Sequence, residues 1–315
     1  MVQDATPVQR VSKIPGIGDF HLPFSRNDLL LLLVAFTEIG LGAEIFLAHL
    51  ISGSIKPAEM IPIVFGPVAG LIFIFALILR VRARGATLLS SLIVIATGMA
   101  SVAVGLIGTA FHWERALPPA NFPNYGLDLN WIIHAPPVAG PLTFAGIGLL
   151  AIIALLEDTR PESGKLTLPQ IITFHTPLPQ TRQFFWLIAF GLYAATLSAF
   201  FDHARTGFES FFVWIPVVLG IFASVVTSLM ALYQQRSRAD YFIFFWIMVM
   251  MVAMGVLGLG LHINADLPEG EAGLQMERFI RGAPVMAPML FAIMGSFGLI
   301  AMIDAPVEEE DASEA

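Results

Sequence analysis

Residues 105–118 read GLIGTAFHWERALP, and residues 255–268 read GVLGLGLHINADLP. At a spacing of 150, Gly105 falls on Gly255, Gly108 on Gly258, His112 on His262, Leu117 on Leu267 and Pro118 on Pro268. The match extends in both directions. Toward the C-terminus, Pro137, Val138, Pro141, Phe144, Ala145 and Gly148 fall on Pro284, Val285, Pro288, Phe291, Ala292 and Gly295. Toward the N-terminus the spacing becomes 154, and His49, Ile61, Pro62, Gly66, Arg82 and Arg84 fall on His203, Ile215, Pro216, Gly220, Arg236 and Arg238. Self-similarity over most of a chain is the signature of a tandem duplication.

Composition sets the environment in which the duplicate folds. Of 315 residues, 57% are hydrophobic and only 13% charged, with a mean hydropathy of +0.79. A soluble domain would carry charge on about a quarter of its residues. Apolar stretches of about 20 residues can cross a bilayer as helices, and eight are expected, near 28–50, 61–80, 87–111, 135–156, 184–203, 211–233, 241–262 and 283–303. The expected fold is an all-α integral membrane protein with about eight transmembrane helices in two tandem four-helix repeats. Residues 1–27 form an N-terminal segment, 28–157 the first repeat, 158–183 a linker, 184–304 the second repeat and 305–315 an acidic tail. Four spans per repeat is an even number, so the halves share one orientation and their pseudo-twofold runs along the membrane normal.

Arg80, Arg82 and Arg84 follow the second span, Arg236 and Arg238 the sixth, and Lys13 and Arg26 precede the first. By the positive-inside rule these segments and both termini are expected in the cytoplasm, in a bacterial-type inner membrane. Arg115, Arg278 and Arg281 lie on the other side, each with acidic neighbours. The N-terminal segment lacks the apolar core of a signal peptide.

There is no cysteine, which removes disulfides, iron–sulfur clusters and thiol chemistry and leaves histidine and carboxylate. With the orientation above, His49, His112, His203 and His262 all end outward-running spans and form two symmetry-related pairs. They persist while Trp113, Glu114 and Arg115 beside His112 have become Ile263, Asn264 and Ala265 beside His262. Two ligand chemistries fit. Imidazoles from different helices can bind the iron of haem b axially, or several imidazoles with nearby Asp202, Glu114 and His134 can hold copper, iron or zinc. Glu209 lies in a short outer turn near the same end. Gly108, Gly258 and Ala199 lie one turn below His112, His262 and His203, where a small residue clears space for a flat macrocycle or lets helices pack closely. Ile45 breaks that pattern below His49. His134 pairs with Arg281 across the repeats, which makes the two halves inequivalent.

Glu38 and Glu44 interrupt the first span without a basic residue in it, and intramembrane carboxylates mark functional sites by default. Glu38 falls within about 20° of His49 and about 16 Å below it on a helix, as a proton or ion path would require. Glu44 points elsewhere, and their second-half counterparts are Leu192 and Ser198. The even-numbered spans are expected to begin with Pro62 and Pro67, with Pro136, Pro137 and Pro141, with Pro216, and with Pro284 and Pro288, kinking around an outer vestibule. The aromatic loop 113–134 reads as an interfacial lid or docking surface, and His175 as a surface residue of the linker.

The sequence therefore points to a membrane redox protein. It would bind haem or a redox metal and take part in electron transfer or oxidation of a quinone or other small apolar substrate, with a partner subunit at the outer face. A transporter for a metal or small acid that uses the repeat interface, and a non-catalytic assembly subunit, are the competing classes. Lipid is the expected surrounding and nucleic acid is not an expected partner.

Overall fold

The computed structural model describes residues 10–51, 53–117, 129–134, 137–160, 162–169, 171–267 and 276–307. In chain order the first half comprises β1 (Arg10–Ile14), β2 (Gly18–Leu22), α1 (Arg26–Leu50), α2 (Pro57–Ala83), α3 (Leu88–Ala116), α4 (Leu129–His134) and α5 (Leu142–Ile153). There follow β3 (Glu157–Asp158), β4 (Lys165–Leu168), β5 (Ile172–His175), α6 (Gln180–Arg205), α7 (Trp214–Leu232), α8 (Arg238–Asp266), α9 (Met276–Arg281) and α10 (Met289–Ala301). Short polar side chains set three of the long helices going. Ser25 accepts from the Asp28 amide, while Thr87 with Ser90 and Ser237 with Asp240 satisfy each other's backbone donors.

Among the described residues, six helices are long and apolar enough to cross a membrane: α1, α2, α3, α6, α8, and α7 with the tight turn Phe211–Val213 before it. The remaining two expected spans are shorter. α5 has 12 residues and α10 has 13, or about 18 and 20 Å of helix against a hydrocarbon core of about 30 Å. Proline is the reason. Pro137, Pro141, Pro284 and Pro288 withhold backbone donors, so tight turns carry the chain from 137 to 142 and from 284 to 289 before regular helix begins.

The prolines of α2 also sit differently from expectation. The helix starts at Pro57, which leaves Pro62 and Pro67 inside it. Pro67 lies against Gly42 of α1, where any side chain would strike its ring, and Gly66 meets the α1 backbone at Glu38. These residues close the α1–α2 contact.

Helix packing forms two rings. α1 packs on α2 and α5, and α3 packs on the same two helices, so α1 and α3 occupy opposite corners. In the second ring α6 and α8 stand opposite each other with α7 and α10 between. The rings join through α1 with α10 and α5 with α6. Large apolar side chains such as Phe36, Leu71, Val218 and Leu257 point outward, a surface suited to lipid.

The polar segments at one end carry strands that hydropathy did not signal. β1 and β2 form an antiparallel hairpin, and β3, β4 and β5 a second antiparallel sheet. This strand end is tied together by buried polar groups. Gln180 donates to the carbonyls of Ile153 and Leu156 and accepts from Arg26. Arg236 is 1% exposed, bonds Glu162 and the Met230 carbonyl, and lies over the rings of Phe185 and Tyr241. Breaking a buried ion pair by removing one partner costs about 3–5 kcal/mol. Arg236→Ala is expected to lower the thermal midpoint in detergent strongly, and Glu162→Gln, which keeps an acceptor, by less.

Candidate functional site

The four histidines gather at the opposite end from the strands, as two pairs. His49 closes α1 and His112 lies in the penultimate turn of α3, with ring centres 6.3 Å apart. His203 on α6 and His262 on α8 have ring centres 6.5 Å apart. Each pair thus bridges helices at opposite corners of one ring, the positions from which bundle-core sites are commonly built. All four side chains are half-buried. Among the described residues, no three His, Asp or Glu side chains stand where they could share a metal ion.

Backbone carbonyls orient three of the imidazoles. Nδ1 of His112 lies 2.8 Å from the Pro137 carbonyl, and Nδ1 of His262 lies 2.8 Å from the Pro284 carbonyl. Nδ1 of His49 lies 2.8 Å from the carbonyl of Ile45. A carbonyl only accepts, so Nδ1 carries the proton in each case, and in the neutral ring the lone pair is left on Nε2. An Nδ1–H held by a carbonyl is the usual support of a metal-bound histidine. Ile45, which interrupts the small-residue pattern, takes part through its main chain.

The spacing of the rings restricts what a pair can hold. A metal ion bound at about 2.0 Å by each nitrogen, with each ring centre slightly over 1 Å beyond, sets trans imidazoles roughly 6.3 Å apart and tetrahedral ones roughly 5 Å apart. The observed separations leave room for one ion between the two rings of each pair.

The small residues below the histidines do not hold open a space for a macrocycle. A Cβ on Gly108 would meet the Pro141 ring at 2.9 Å, and one on Gly258 the Pro288 ring at 2.8 Å. These glycines let α3 and α8 approach the turns that carry Pro137 and Pro284.

An acid and an arginine accompany each pair. Glu59, in the first turn of α2, accepts from the Lys56 amide, lies 3.5 Å from Arg115, and is within electrostatic reach of His49 and His112. Asp202 lies 3.5 Å from Arg205 and within reach of His262. Glu59 escaped the sequence reading because an acid three residues after Lys56 looks like a helix-start residue. Glu114, Glu209 and His134 are exposed. Arg205 donates to the Ile133 carbonyl of α4. Beside it Ile132, Pro137, Ser198 and Asp202 line a cavity of about 10 Å3, room for about one water. Glu44 sits within electrostatic reach of Asp202 across the seam between the rings. His175 is exposed on β5. Most of the aromatic loop, 118–128, lies outside the described residues, as do 135–136 and the acidic residues 308–315.

Glu38 lies on α1, the helix that His49 closes. It is fully buried in the first ring, and its Oε1 lies 2.5 Å from the hydroxyl of Ser101 on the opposite helix α3.

By fold the chain is a multi-pass helical membrane protein. No known protein family, curated protein or solved structure matches it, so the chemistry of the site rests on its own residues.

Proposed function

We propose that the protein is a membrane electron carrier with two bis-histidine centres, in which His49 with His112 and His203 with His262 would each hold one haem-type iron. The carrying observation is the pair of ring separations, 6.3 and 6.5 Å, together with carbonyl-held Nδ1 atoms that leave Nε2 as ligand. Two neutral imidazoles without carboxylate or thiolate suit haem iron, which when bound supplies reversible one-electron exchange. The protein's part is to hold each pair across a ring, to keep the tautomer fixed, and to set Glu59 and Asp202 beside the centres, where a carboxylate favours the more oxidised, more positive state.

In this reading the two rings are tandem repeats related by a pseudo-twofold along the membrane normal, and all eight apolar helices serve as spans. α5 and α10 complete theirs with the proline turns that precede them. The basic clusters at the strand end support a cytoplasmic position for that end and both termini, in an inner membrane. The histidines then lie at the outer headgroup layer, within reach of a quinone or other small apolar reductant and of a partner subunit.

Pro141 and Pro288 occupy the helix faces next to the histidines, and that crowding favours a second reading in which each pair would hold a bare copper ion. Absorption spectra and metal analysis of the purified protein separate the two. A Soret band with about two haems per chain supports the first reading. Two copper ions without a Soret band support the second. A preparation with neither, after expression with haem and copper supplied, overturns both and leaves transport or assembly.

A further inference from the structure

The two rings differ most below the histidines. The buried face of α3 carries Ser90, Ser91, Thr97 and Ser101, whereas the buried face of α8 carries Tyr241, Phe244, Ile247 and Met251. Glu38 lies 11 residues before His49, and Ser101 lies 11 before His112. The corresponding positions before His203 and His262 are Leu192 and Met251, both fully buried.

Hydrogen bonding defines the state of Glu38. The Ser101 hydroxyl lies 2.5 Å from Glu38 Oε1 and 2.8 Å from the Phe144 carbonyl. It has one proton to give, and the carbonyl can only accept. Both contacts are full two-centre hydrogen bonds when Glu38 is the protonated acid and donates to Ser101, whereas an ionised Glu38 would have to share the one hydroxyl proton with the carbonyl. Ser101 is the only side chain bonded to Glu38 among the described residues, and no charged side chain of α2, α3 or α5 is bonded to it.

Unpartnered buried atoms lie along the same ring. Glu38 Oε2, Ser91 Oγ and Arg80 Nη1 have no hydrogen-bond partner, with Arg80 held by Asp28 at 3.1 Å at the strand end. Among the described residues, the other unpartnered buried side-chain atoms belong to Ser12, Asp158, Arg236 and Asp266. These lie in strands, the α7–α8 turn or the last residue of α8, and none falls on the interior of the second ring. Buried polar atoms left without protein partners are places for ordered water.

We propose that the first ring alone contains a hydrated proton path, entering at the strand end past Asp28 and Arg80, running by Ser91, Thr97 and Ser101, and ending on the Glu38 carboxyl. The step is a proton transfer: Glu38 releases its proton to the water chain and regains one from it, with no change in electron count. Leu192, Met251 and Phe244 seal the second ring against the same traffic. The path stands without any cofactor. If the bis-histidine reading also holds, only the His49–His112 centre has a proton site beneath it.

Infrared spectroscopy of the full-length protein in liposomes tests this with or without bound metal. At neutral pH the protein is expected to show a protonated carboxyl stretch that Glu38→Gln removes, that Ser101→Ala shifts in frequency, and that moves in D2O. Ser91→Val, which takes away one polar stepping point worth about one hydrogen bond, is expected to slow that exchange about tenfold. Ser224→Ala in α7, which removes a hydroxyl bonded within its own helix, is the control that leaves it unchanged. A spectrum in which neither Glu38→Gln nor Ser101→Ala alters a carboxyl band overturns the protonated acid. Equal exchange in Ser91→Val and the unaltered protein overturns the path.

Discussion

On the two-centre reading proposed above, His112→Ala is expected to remove about half of the bound cofactor, His262→Ala the other half and the double variant all of it, as additivity requires of sites that share no partner. The proposed pairing requires this arithmetic. His112 meets His49 and His262 meets His203, and no third histidine or acid joins either pair among the described residues. A single shared centre would instead lose its whole signal with either substitution. Within one pair the effects are not additive: His49→Ala is expected to match His112→Ala, and the two together to do no more than either. Folding should survive. The side chains are half-buried at a helix end, and Pro137, whose carbonyl loses its donor, is exposed and can bond water. Quantifying haem or copper per chain, with the fraction inserted in the membrane measured alongside, checks both halves of the expectation. Retention of the full signal by His112→Ala and by His262→Ala would remove the ligand assignment.

The internal match of 105–118 with 255–268 singled out the four histidines in the sequence, but it paired equivalent positions, His49 with His203 and His112 with His262, whereas the structure brings His49 to His112 and His203 to His262. Hydropathy also located the long helices. It failed where local chemistry interrupts an apolar run. Residues 137–141 and 284–288 are apolar enough to read as helix, yet their prolines force turns. The strands β4 and β5, each of four residues, are too short to show an alternating pattern. The hairpin of β1 and β2 turns at Gly16, whose positive φ of 77° is a backbone state hydropathy does not encode. The polar partners were hidden for a different reason. Glu38 and Ser101 are 63 positions apart, and Glu59 nears His49 only because the α1–α2 connection folds back. Spacing on a helical wheel gave Glu38 its face but not its partner.

Gly105→Ala and Gly255→Ala are expected to destabilise the protein far more than one methyl group suggests, and to loosen the histidine of their own ring. A Cβ on Gly105 would lie 2.6 Å from the Ala145 amide nitrogen and 2.9 Å from the Pro141 carbonyl. One on Gly255 would lie 2.6 Å from the Ala292 nitrogen and 2.8 Å from the Pro288 carbonyl. Main-chain atoms cannot rotate aside as a side chain can, so the helices must separate, at a cost of about 1–3 kcal/mol for overpacking. The displaced chain carries Pro137 in the first ring and Pro284 in the second, and with them the carbonyls that fix His112 and His262. Gly260→Ala on α8 supplies the contrast, because a Cβ there meets nothing within 4 Å and alanine gains about 0.8–1.0 kcal/mol of helix propensity over glycine. Thermal unfolding in detergent should therefore move down for Gly105→Ala and Gly255→Ala and hold or rise for Gly260→Ala. Cofactor content should fall only in the ring that was altered. If Gly255→Ala and Gly260→Ala unfold together, close backbone approach is not what positions the histidines, and their orientation must come from the turns alone.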